Sequence, residues 1–389
     1  MREAVIVSAA RTAIGKARGT LAPVPAHELG AIAVREAVKR ANIDPNEIDD
    51  VIFGNLMANE VANIGRVVAL GAGLPYSVPG LTLDRQCGSG LNAFAYASIL
   101  IQAGYADVLV AGGVESDSRR CYVMEKPTTA YQVMPPQWAK IKSAYKDEDN
   151  ISMGLTAENL AERFSISREE CDKFAEDSHK KAAAAWEKGA FNEQIVPVEV
   201  NIGKGKTIHF VKDEALRPDT TVEILSKLPP VFKEGGVVTA GNSSPMSDGA
   251  GAVVVMEKSK AKALGLPILG KFKGYACTGL DPKIMGYGPV YATEKLFKIT
   301  GMNMKDIDLI EMNEAFAAQS IACIHGLDID TDKLNVNGGA IALGHPLAGT
   351  GAILLAKMVY ALKDRNLSTG LITFCAGGGM GVSVIIERE

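Results

Sequence analysis

The chain has 389 residues, of which 47% are hydrophobic and 22% are charged, and its formal net charge is −4. This composition is typical of a globular protein in water, and the length predicts two or three domains. The acidic balance, without a dense basic run, argues against a nucleic-acid partner. No run of 18 uncharged apolar residues is present, which argues against a membrane span.

Apolar segments with strand periodicity alternate with helical segments near the start of the chain. The predicted elements are, in order, strand 4–8, helix 29–40, strand 51–53, helix 91–103 and strand 107–111, which ends at two glycines. This alternation predicts parallel βαβ units. Residues from about 116 to 240 are richer in charge and helix formers, with a capping box at 167–170, and we interpret them as an inserted lid. Strand 249–257 then completes the first half.

The last third of the chain repeats the order of the first. Asn55 precedes Cys87 by 32 positions (87 − 55), and Asn313 precedes His345 by the same separation (345 − 313). The segments ending at the two asparagines are similar to each other. These matches predict a duplicated α/β half, with Cys87 and His345 at corresponding helix starts across a pseudo-twofold axis.

A third match supports the duplication. Residues 108–113 are echoed by residues 372–377, so that Gly113 corresponds to Gly377. Three matches in the same order favour a duplication over chance.

The six cysteines, at positions 87, 121, 171, 277, 323 and 375, are scattered without a CxxC pair or another metal-binding spacing. Such usage is typical of a reducing compartment. The apolar start of the chain is too short for a signal peptide and is bracketed by Glu3 and Arg11, so we interpret it as a buried strand. We therefore expect a cytoplasmic or organelle-matrix protein without a metal site.

Two cysteines and one histidine lie in glycine-rich turns: Cys87, His345 and Cys375. Glycines let the backbone turn sharply and bring N–H groups close to a reacting oxygen. A nucleophile, a base and a second acid/base form a set suited to acyl transfer through a thioester. Because Cys87 precedes an apolar helix, we expect the helix N-terminus and a nearby histidine to stabilise its thiolate.

Seven motifs, in order along nearly the whole chain, resemble those of the thiolase family. They are RTAIG at 11–15, CGSG at 87–90, GGVES at 112–116, TAGNSS at 239–244, NEAF at 313–316, GHP at 344–346 and CAGGG at 375–379. The resemblance implies a duplicated α/β fold, with two βαβ-type halves in αβαβα layers and an inserted lid. The implied domains are 1–118 with 241–268, the lid 119–240, and 269–389. It also implies a homodimer or homotetramer.

The resemblance assigns roles to the residues of these motifs. Cys87 accepts the acyl group, and His345 activates Cys87 and helps to bind the thioester oxygen. Cys375 moves protons as the second acid/base. Asn313 orients a water for one oxyanion hole, and the N–H groups of Cys87 and Gly377 form the other.

The implied reaction is a reversible, CoA-dependent Claisen condensation and thiolysis. It joins two acetyl-CoA molecules into acetoacetyl-CoA and CoA, and extends to longer 3-oxoacyl-CoA; the enzyme is thus an acetyl-CoA C-acetyltransferase or C-acyltransferase. Coenzyme A and acetyl-CoA are substrates, and no tightly bound cofactor is expected. The implied CoA contacts are Met153, Arg217, Phe232, Ser244, Met246, Met285 and Phe316. Methionines and phenylalanines are also common in plain cores, and an arginine is common in surface ion pairs.

Some residues depart from the family pattern. Ser152 stands where many acetoacetyl-CoA-specific thiolases carry a histidine, and residues 121–149, including 134–136, do not resemble the tetramerisation loop. Ala348 and Thr350 replace the usual glycine and serine after the His-Pro pair. We expect none of these to touch the chemistry. The smaller Ser152 predicts tolerance for acyl chains longer than acetoacetyl, with the chain-length preference and oligomeric state left open.

Two alternative functions remain. A decarboxylating ketoacyl-synthase-type enzyme shares the fold and nucleophile, but it typically uses two histidines, or a histidine and an asparagine, without a second cysteine. Cys375 distinguishes this chain from that class. A non-catalytic, thiolase-like CoA- or lipid-binding protein is disfavoured because the predicted nucleophile and both acid/base residues are intact.

Overall fold

The computed structural model describes residues 2–127 and 137–388. Within these residues, eleven strands form one large sheet and four more form two small hairpin sheets. The strands are β1 (Ala4–Thr12), β2 (Gly15–Lys16), β3 (Asp50–Gly54), β4 (Leu81–Leu83), β5 (Val108–Ser116), β6 (Met124–Glu125), β7 (Gln137–Trp138), β8 (Ile195–Val196), β9 (Val198–Asn201), β10 (Thr207–Phe210), β11 (Ser247–Glu257), β12 (Gly270–Gly279), β13 (Leu309–Met312), β14 (Thr369–Ala376) and β15 (Met380–Glu387).

The order of the large sheet is symmetric about its middle. It runs β13-β14-β15-β12-β1-β11-β5-β3-β4, with β2 paired to β11 and β8 paired to β1. On each side of the β12–β1 contact, two antiparallel pairings lead outward to a parallel pairing, and β4 adds a second parallel pairing on the β1 side. The β12–β1 contact itself involves only two residue pairs. The predicted duplication is confirmed by this order.

Eleven α-helices accompany the strands in the described part of the chain. They are α1 (Ala26–Ala41), α2 (Ile64–Gly71), α3 (Ser89–Ala103), α4 (Met153–Phe164), α5 (Arg168–Glu187), α6 (Val222–Ser226), α7 (Lys258–Ala263), α8 (Gly288–Thr300), α9 (Ala317–Leu327), α10 (Ala340–Leu343) and α11 (Thr350–Arg365).

Helices α3 and α11 form the middle layer of the molecule. They pack against each other and contact strands of both halves, while α1 covers the outer face of the first half and α8 that of the second. Residues 350–362 of α11 are all buried, as expected for a helix enclosed on every side. The strands are likewise buried on both faces, so β1 and β5 are apolar throughout most of their length. The predicted five-layer αβαβα arrangement is confirmed.

The predicted elements exist, but several are longer than expected. Strand β5 continues through Gly112 and Gly113 to Ser116, whereas the sequence predicted an end at those glycines. Position 112 of the strand requires glycine, because a Cβ there would collide with the ring of Phe53 and the carbonyl of Gly251. Gly112 marks a close approach of neighbouring strands, and Gly113 a close approach of the Ala348 carbonyl, so neither glycine ends the strand.

The register of the duplication differs from the sequence match. Gly54 lies opposite Gly113 in the first half, and Met312 lies opposite Thr373 in the second. Gly113 therefore corresponds to Thr373 and not to Gly377, so the third sequence match is wrong by four positions (377 − 373). Glycine patterns misled the comparison because the two halves use glycine at different places.

The interpreted lid contains helices α4 to α6 and strands β6 to β10. Ser167 begins α5 with the expected capping box, in which its side chain and that of Glu170 satisfy each other's backbone N–H groups. The segment 134–136 that departs from the family pattern lies outside the described residues. The domain boundaries assigned from the sequence stay a prediction.

Candidate active site

Cys87 lies in a tight turn between β4 and α3. The residue before it, Gln86, has a positive φ of 51°, which side-chain-bearing residues adopt only when the surroundings enforce it. The hydroxyl of Ser89 enforces it here, since it donates to the carbonyl of Gln86 at 2.6 Å and accepts from the N–H of Arg85 at 2.8 Å. The turn therefore presents the Cys87 thiol at the start of α3.

His345 lies in the corresponding turn before α11. The two turns approach closely because a glycine faces the backbone at their contact: a Cβ at Gly90 would lie 2.6 Å from the carbonyl oxygen of Ala348. A larger residue at position 90 would force the turns apart. The predicted placement of Cys87 and His345 at matching helix starts agrees with this geometry.

The ring of His345 is buried and hydrogen-bonded at both nitrogens. Its Nδ1 lies 2.7 Å from Thr350 Oγ1, and its Nε2 lies 3.4 Å from Asn313 Nδ2. The amide donates, so Nε2 is the acceptor and Nδ1–H donates to Thr350 in the tautomer that satisfies both contacts. Burial lowers the pKa of His345 to about 4, so the ring is neutral near pH 7 and Nε2 has a lone pair available for a proton.

Asn313 directly follows β13, and its side chain faces the His345 ring. Its Nδ2 points to His345, while its Oδ1 is buried without a hydrogen-bond partner. A buried amide oxygen without a partner is costly unless a water or ligand group satisfies it. This oxygen therefore fits the predicted water-orienting position beside His345.

Cys375 and Gly377 complete the cluster from the end of β14. The backbone N–H groups of Gly377 and of Cys87 itself lie beside the Cys87 sulfur and lower the pKa of its thiol. Cys375 is buried, and it lies close enough to Cys87 for the charge of one thiolate to raise the pKa of the other. The structure brings Cys87, Asn313, His345, Cys375 and Gly377 into one site.

The expected stabilisation of the Cys87 thiolate is not what the surroundings produce. Burial of the thiol raises its pKa to about 11, and the two backbone N–H donors offset this only in part. The carboxylate of Glu115 adds to the rise through its charge. Cys87 is therefore a thiol in the resting protein, and the neutral His345 is the nearby group able to take its proton.

The predicted CoA contacts lie in different surroundings. Met153, Met285 and Phe316 pack with Cys375 in a small apolar cluster, and Phe232 meets the Phe316 ring edge-on at 6.2 Å. Met246 is 66% exposed beside His345, with which it forms an isolated β-bridge.

The remaining two predicted CoA contacts, Ser244 and Arg217, are hydrogen-bonded to other parts of the chain. Ser244 Oγ is engaged with the carbonyl of Ala315 at 3.1 Å. Arg217 is exposed, and its backbone N–H donates to Nδ1 of the buried His179 at 3.3 Å. Ser152 is exposed and caps α4 by accepting from the N–H of Leu155 at 3.4 Å, so its hydroxyl is used locally.

Sequence reasoning missed two partners of His345. Thr350 was expected to lie away from the chemistry, and this expectation is wrong because its hydroxyl contacts the His345 ring. Ser247 Oγ accepts the backbone N–H of His345 at 3.2 Å. The signal for Thr350 was its place at the first turn of the helix after His345, but the contact depends on the intervening 3₁₀ turn, Leu347–Gly349.

Among the described residues, no group of three or more His, Cys, Asp or Glu side chains is arranged to hold a metal ion. The six cysteines are all unpaired. In the same part of the chain, no helix has the length and apolar content needed to cross a bilayer.

A cysteine, a neutral histidine and a second cysteine between two duplicated α/β halves define an acyl-transferring enzyme that works through a thioester. Comparison with known proteins identifies the family. Residues 4–259 match the description "Thiolase, N-terminal domain" and residues 266–388 match "Thiolase, C-terminal domain". The chain belongs to the thiolase family, the acyltransferases of CoA-dependent condensation and thiolysis.

Individual relatives match over their full length. An acetyl-CoA acetyltransferase of Pseudomonas aeruginosa is 45% identical over 393 residues, and a 3-ketoacyl-CoA thiolase of Bacillus subtilis is 46% identical over 398, each with 100% of both chains covered. The crystal structure of human mitochondrial 3-ketoacyl-CoA thiolase in complex with CoA has a TM-score of 0.92 and 39% identity, and covers 100% of this chain and 98% of that one.

Proposed function

We propose that this thiolase carries the acyl group on Cys87 and uses His345 and Cys375 as its two proton-transfer groups. The observation that carries the proposal is the surroundings of the Cys87 sulfur. Two backbone N–H groups and a second thiol lie close to it. A neutral histidine stands in the turn that packs against the same helix start.

In the first half-reaction, His345 Nε2 takes the proton of Cys87 as the sulfur attacks the thioester carbonyl of acetyl-CoA. A carbon–sulfur bond forms to Cys87, and the bond to the CoA sulfur breaks. The departing CoA thiolate takes from His345 the proton that came from Cys87, and acetyl-Cys87 remains. The N–H groups of Cys87 and Gly377 are in place to stabilise the oxygen of the intermediate.

In the second half-reaction, His345 takes the proton of Cys375, and the Cys375 thiolate then takes a proton from the methyl carbon of a second acetyl-CoA. The resulting enolate oxygen is stabilised beside His345 and the Asn313 water position. Its carbon attacks the acetyl carbon of acetyl-Cys87, and the bond to the Cys87 sulfur breaks. The sulfur takes the proton from His345, which releases acetoacetyl-CoA and returns the Cys87 thiol. Thiolysis is the same path in reverse. The second thiol also favours this reaction over decarboxylative condensation.

We place CoA along the lid, against the apolar cluster and Phe232, with Met246 near the reacting end. An exposed arginine on the lid, Arg217, suits a phosphate of the nucleotide. The human mitochondrial relative solved with CoA supports CoA as the bound substrate.

Acyl chains longer than acetoacetyl are included in the proposal. A cleft of about 820 Å³ begins at Met246, which adjoins His345, and is lined among others by Tyr122, Trp138 and Ile141. The lining also includes the charged Arg18, Asp117 and Arg120, so the part of the cleft that suits an alkyl chain is its apolar side. Each methylene removed from water there contributes about 0.8 kcal/mol. The support comes from this cleft rather than from Ser152, whose hydroxyl caps a helix.

We further propose a cytoplasmic homo-oligomer. Free thiols at all six cysteines suit a reducing compartment. Strand β4 ends the large sheet, and its Leu81 is 47% exposed. Such a sheet edge is suited to pairing with a second copy. Light scattering of the purified protein would report a mass of one chain if this part of the proposal is wrong.

The assignment of the two cysteines is tested by separating the half-reactions. Incubation with acetyl-CoA should add one acetyl mass to the peptide containing Cys87, and Cys87→Ala should abolish both condensation and acetyl exchange. Cys375→Ser should slow condensation by ~10²–10⁴-fold, the usual cost of a displaced acid/base, while Cys87 acetylation is far less affected. Acetylation of another cysteine in the active protein contradicts the proposal. Equal losses in both half-reactions for Cys375→Ser contradict its assignment to the second.

A further inference from the structure

Asn313 directly follows β13, a strand at one edge of the large sheet. Within the described residues, β13 pairs with β14 on its inner side, and no further strand lies beyond it. The first half is different, because β4 pairs with the outer side of β3 as far as Gly54. The outer side of β13 is instead covered by a loop, through an isolated parallel bridge between Ile310 and Leu334. The buried peptide groups of β13 beyond this bridge therefore need other partners.

Asn335 supplies these partners with its side chain. Its Oδ1 accepts from the backbone N–H of Met312 at 2.9 Å, and its Nδ2 donates to the Met312 carbonyl at 2.9 Å. Nδ2 also donates to Glu314 Oε1 at 2.7 Å. An asparagine amide has one carbonyl oxygen and two N–H hydrogens, so its oxygen and both hydrogens are used. The side chain thus takes the place of a peptide group in an edge strand, and it bonds both chain neighbours of Asn313.

The surroundings of Asn335 hold this amide in place. The residue is buried and has a positive φ of 43°, in the left-handed region that asparagine adopts more readily than most residues. Its backbone N–H donates to the carbonyl of Ile310, and its carbonyl accepts from the N–H of Gly338, both at 2.8 Å. The loop is therefore bonded to β13 through its backbone as well as through the amide.

The orientation of Asn313 depends on its backbone. Within the described residues, its side chain makes one hydrogen bond, the 3.4 Å contact to His345, and its Oδ1 has no partner. Its backbone N–H donates to the carbonyl of Thr373 on β14 at 3.1 Å. The chain at Asn313 is thus held from the inner side by β14 and from the outer side by Asn335.

We propose that Asn335 is a positioning residue for Asn313: by bonding the residues on both sides of it, Asn335 holds the Asn313 amide against His345. The inference rests on the proposed roles of Asn313 and His345. Asn335 acts through the backbone and does not itself contact the substrate. Because its amide does not ionise, its bonds to Met312 do not depend on pH.

The test begins with Asn335→Gly. This variant removes the amide, and glycine adopts a positive φ without added backbone strain. We expect kcat for thiolysis to fall about 10- to 100-fold, the scale of an ångström-sized misplacement of a catalytic group. A folded Asn335→Gly protein with unaltered kcat would overturn the proposal.

The same substitution in an Asn313→Ala protein separates positioning from a general loss of structure. If Asn335 acts through the Asn313 side chain, it has little left to position once that side chain is gone. Asn335→Gly should then lower kcat less than about threefold. A loss by the same factor in both backgrounds would overturn the proposal. If instead Asn313→Ala alone keeps full kcat, the proposed function of Asn313 is what fails, and the inference fails with it.

A matched control is Asn242→Ala, at another buried asparagine with three side-chain hydrogen bonds. Its Oδ1 accepts from the N–H of Thr239 at 2.8 Å, and its Nδ2 donates to Asp172 Oδ1 at 2.9 Å and to the Val237 carbonyl at 3.0 Å. This variant should lower the melting temperature by a comparable amount and change kcat by the same factor in both backgrounds. An effect that disappears in the Asn313→Ala background would mean that the coupling reports only general loosening, which would overturn the proposal.

A milder variant keeps the test decisive if Asn335→Gly does not fold. Asn335→Asp keeps the side-chain shape and an oxygen for the Met312 N–H, but it cannot donate to the Met312 carbonyl and to Glu314 at once. We expect kcat to fall about 3- to 10-fold, and by a smaller factor in the Asn313→Ala background. A folded Asn335→Asp protein with the same loss in both backgrounds, or with none, would equally overturn the proposal.

Discussion

At the scale of single residues, the tautomer of one histidine decides whether the site is able to start its reaction. The Thr350 hydroxyl lies 2.7 Å from His345 Nδ1, and the Asn313 amide approaches Nε2. Together these two contacts hold the ring so that the lone pair of Nε2 faces the other predicted site residues. Because burial keeps the ring neutral, a hydrogen bond and not a charge fixes its orientation.

Removal of the Thr350 hydroxyl should therefore reduce activity with little loss of stability. Thr350→Val keeps the side-chain shape but no longer accepts from Nδ1–H, so both tautomers become accessible. We expect kcat for thiolysis to fall about 10- to 100-fold, with Thr350→Ser, which keeps the hydroxyl, close to the wild type. The measurement is steady-state kinetics beside thermal melting. A Thr350→Val protein with full activity would show that the contact does not orient the ring.

At the scale of elements, a buried ion pair joins the first strand to the lid. Arg11 on β1 bonds Asp213 through both guanidinium nitrogens, at 2.8 and 3.0 Å, and its Nε donates to Gln194 Oε1 at 2.7 Å. The guanidinium also lies 5.2 Å from the centroid of the Phe191 ring. Asp213 accepts from the N–H of Ile14 in addition, so the pair fixes the lid against the strand.

Breaking this pair should loosen the lid more than breaking an exposed one. Arg11→Met leaves Asp213 buried without its partner, which costs about 3–5 kcal/mol. The control is Lys363→Met, whose exposed ion pair with Glu193 should be worth about 0–1 kcal/mol. Denaturant unfolding and limited proteolysis of the lid measure the difference. Equal stability of the two variants would show that the buried pair does not hold the lid.

The main elements and the duplication were predictable from the sequence. Strand and helix periodicity located the main elements, and the asparagine-to-cysteine and asparagine-to-histidine spacing revealed the duplication. The correspondence between β5 and β14 was not predictable, because Gly113 and Gly377 serve different needs: one lets Ala348 in the turn before α11 approach the strand, and the other lies beside the Cys87 sulfur. Motifs placed the five predicted site residues together.

The part of the site that the sequence did not reveal consists of contacts between distant segments. Thr350 reaches His345 only through the fold of a 3₁₀ turn. The raised pKa of Cys87 follows from burial by both halves, whereas the local sequence suggested only a helix start. Local patterns carry no direct record of how deeply a thiol is enclosed.

At the scale of the whole molecule, the two halves bring the predicted reacting groups together, and the proposed place of the acyl chain is a cleft on the lid side. The cleft of about 820 Å³ starts at Met246. It is lined by Ala17 and Arg18, which follow β2, and by residues flanking β6 and β7. Ile141 is 59% exposed along this wall. If the acyl chain occupies this cleft, as we propose, chain-length preference is set away from the cysteines and the histidine.

A series of 3-oxoacyl-CoA substrates tests this separation. The wild type should thiolyse the six- and eight-carbon substrates with kcat/KM within about tenfold of acetoacetyl-CoA, because the cleft receives the added methylenes. Ile141→Trp narrows the cleft and should lower kcat/KM for the eight-carbon substrate at least about tenfold more than for acetoacetyl-CoA, the scale of one or two excluded methylenes. Ile99→Trp, at an exposed position on α3 outside this wall, is the control and should leave the ratio unchanged. If the wild type turns over the six-carbon substrate orders of magnitude more slowly than acetoacetyl-CoA, the cleft does not hold the chain and the enzyme is restricted to four carbons.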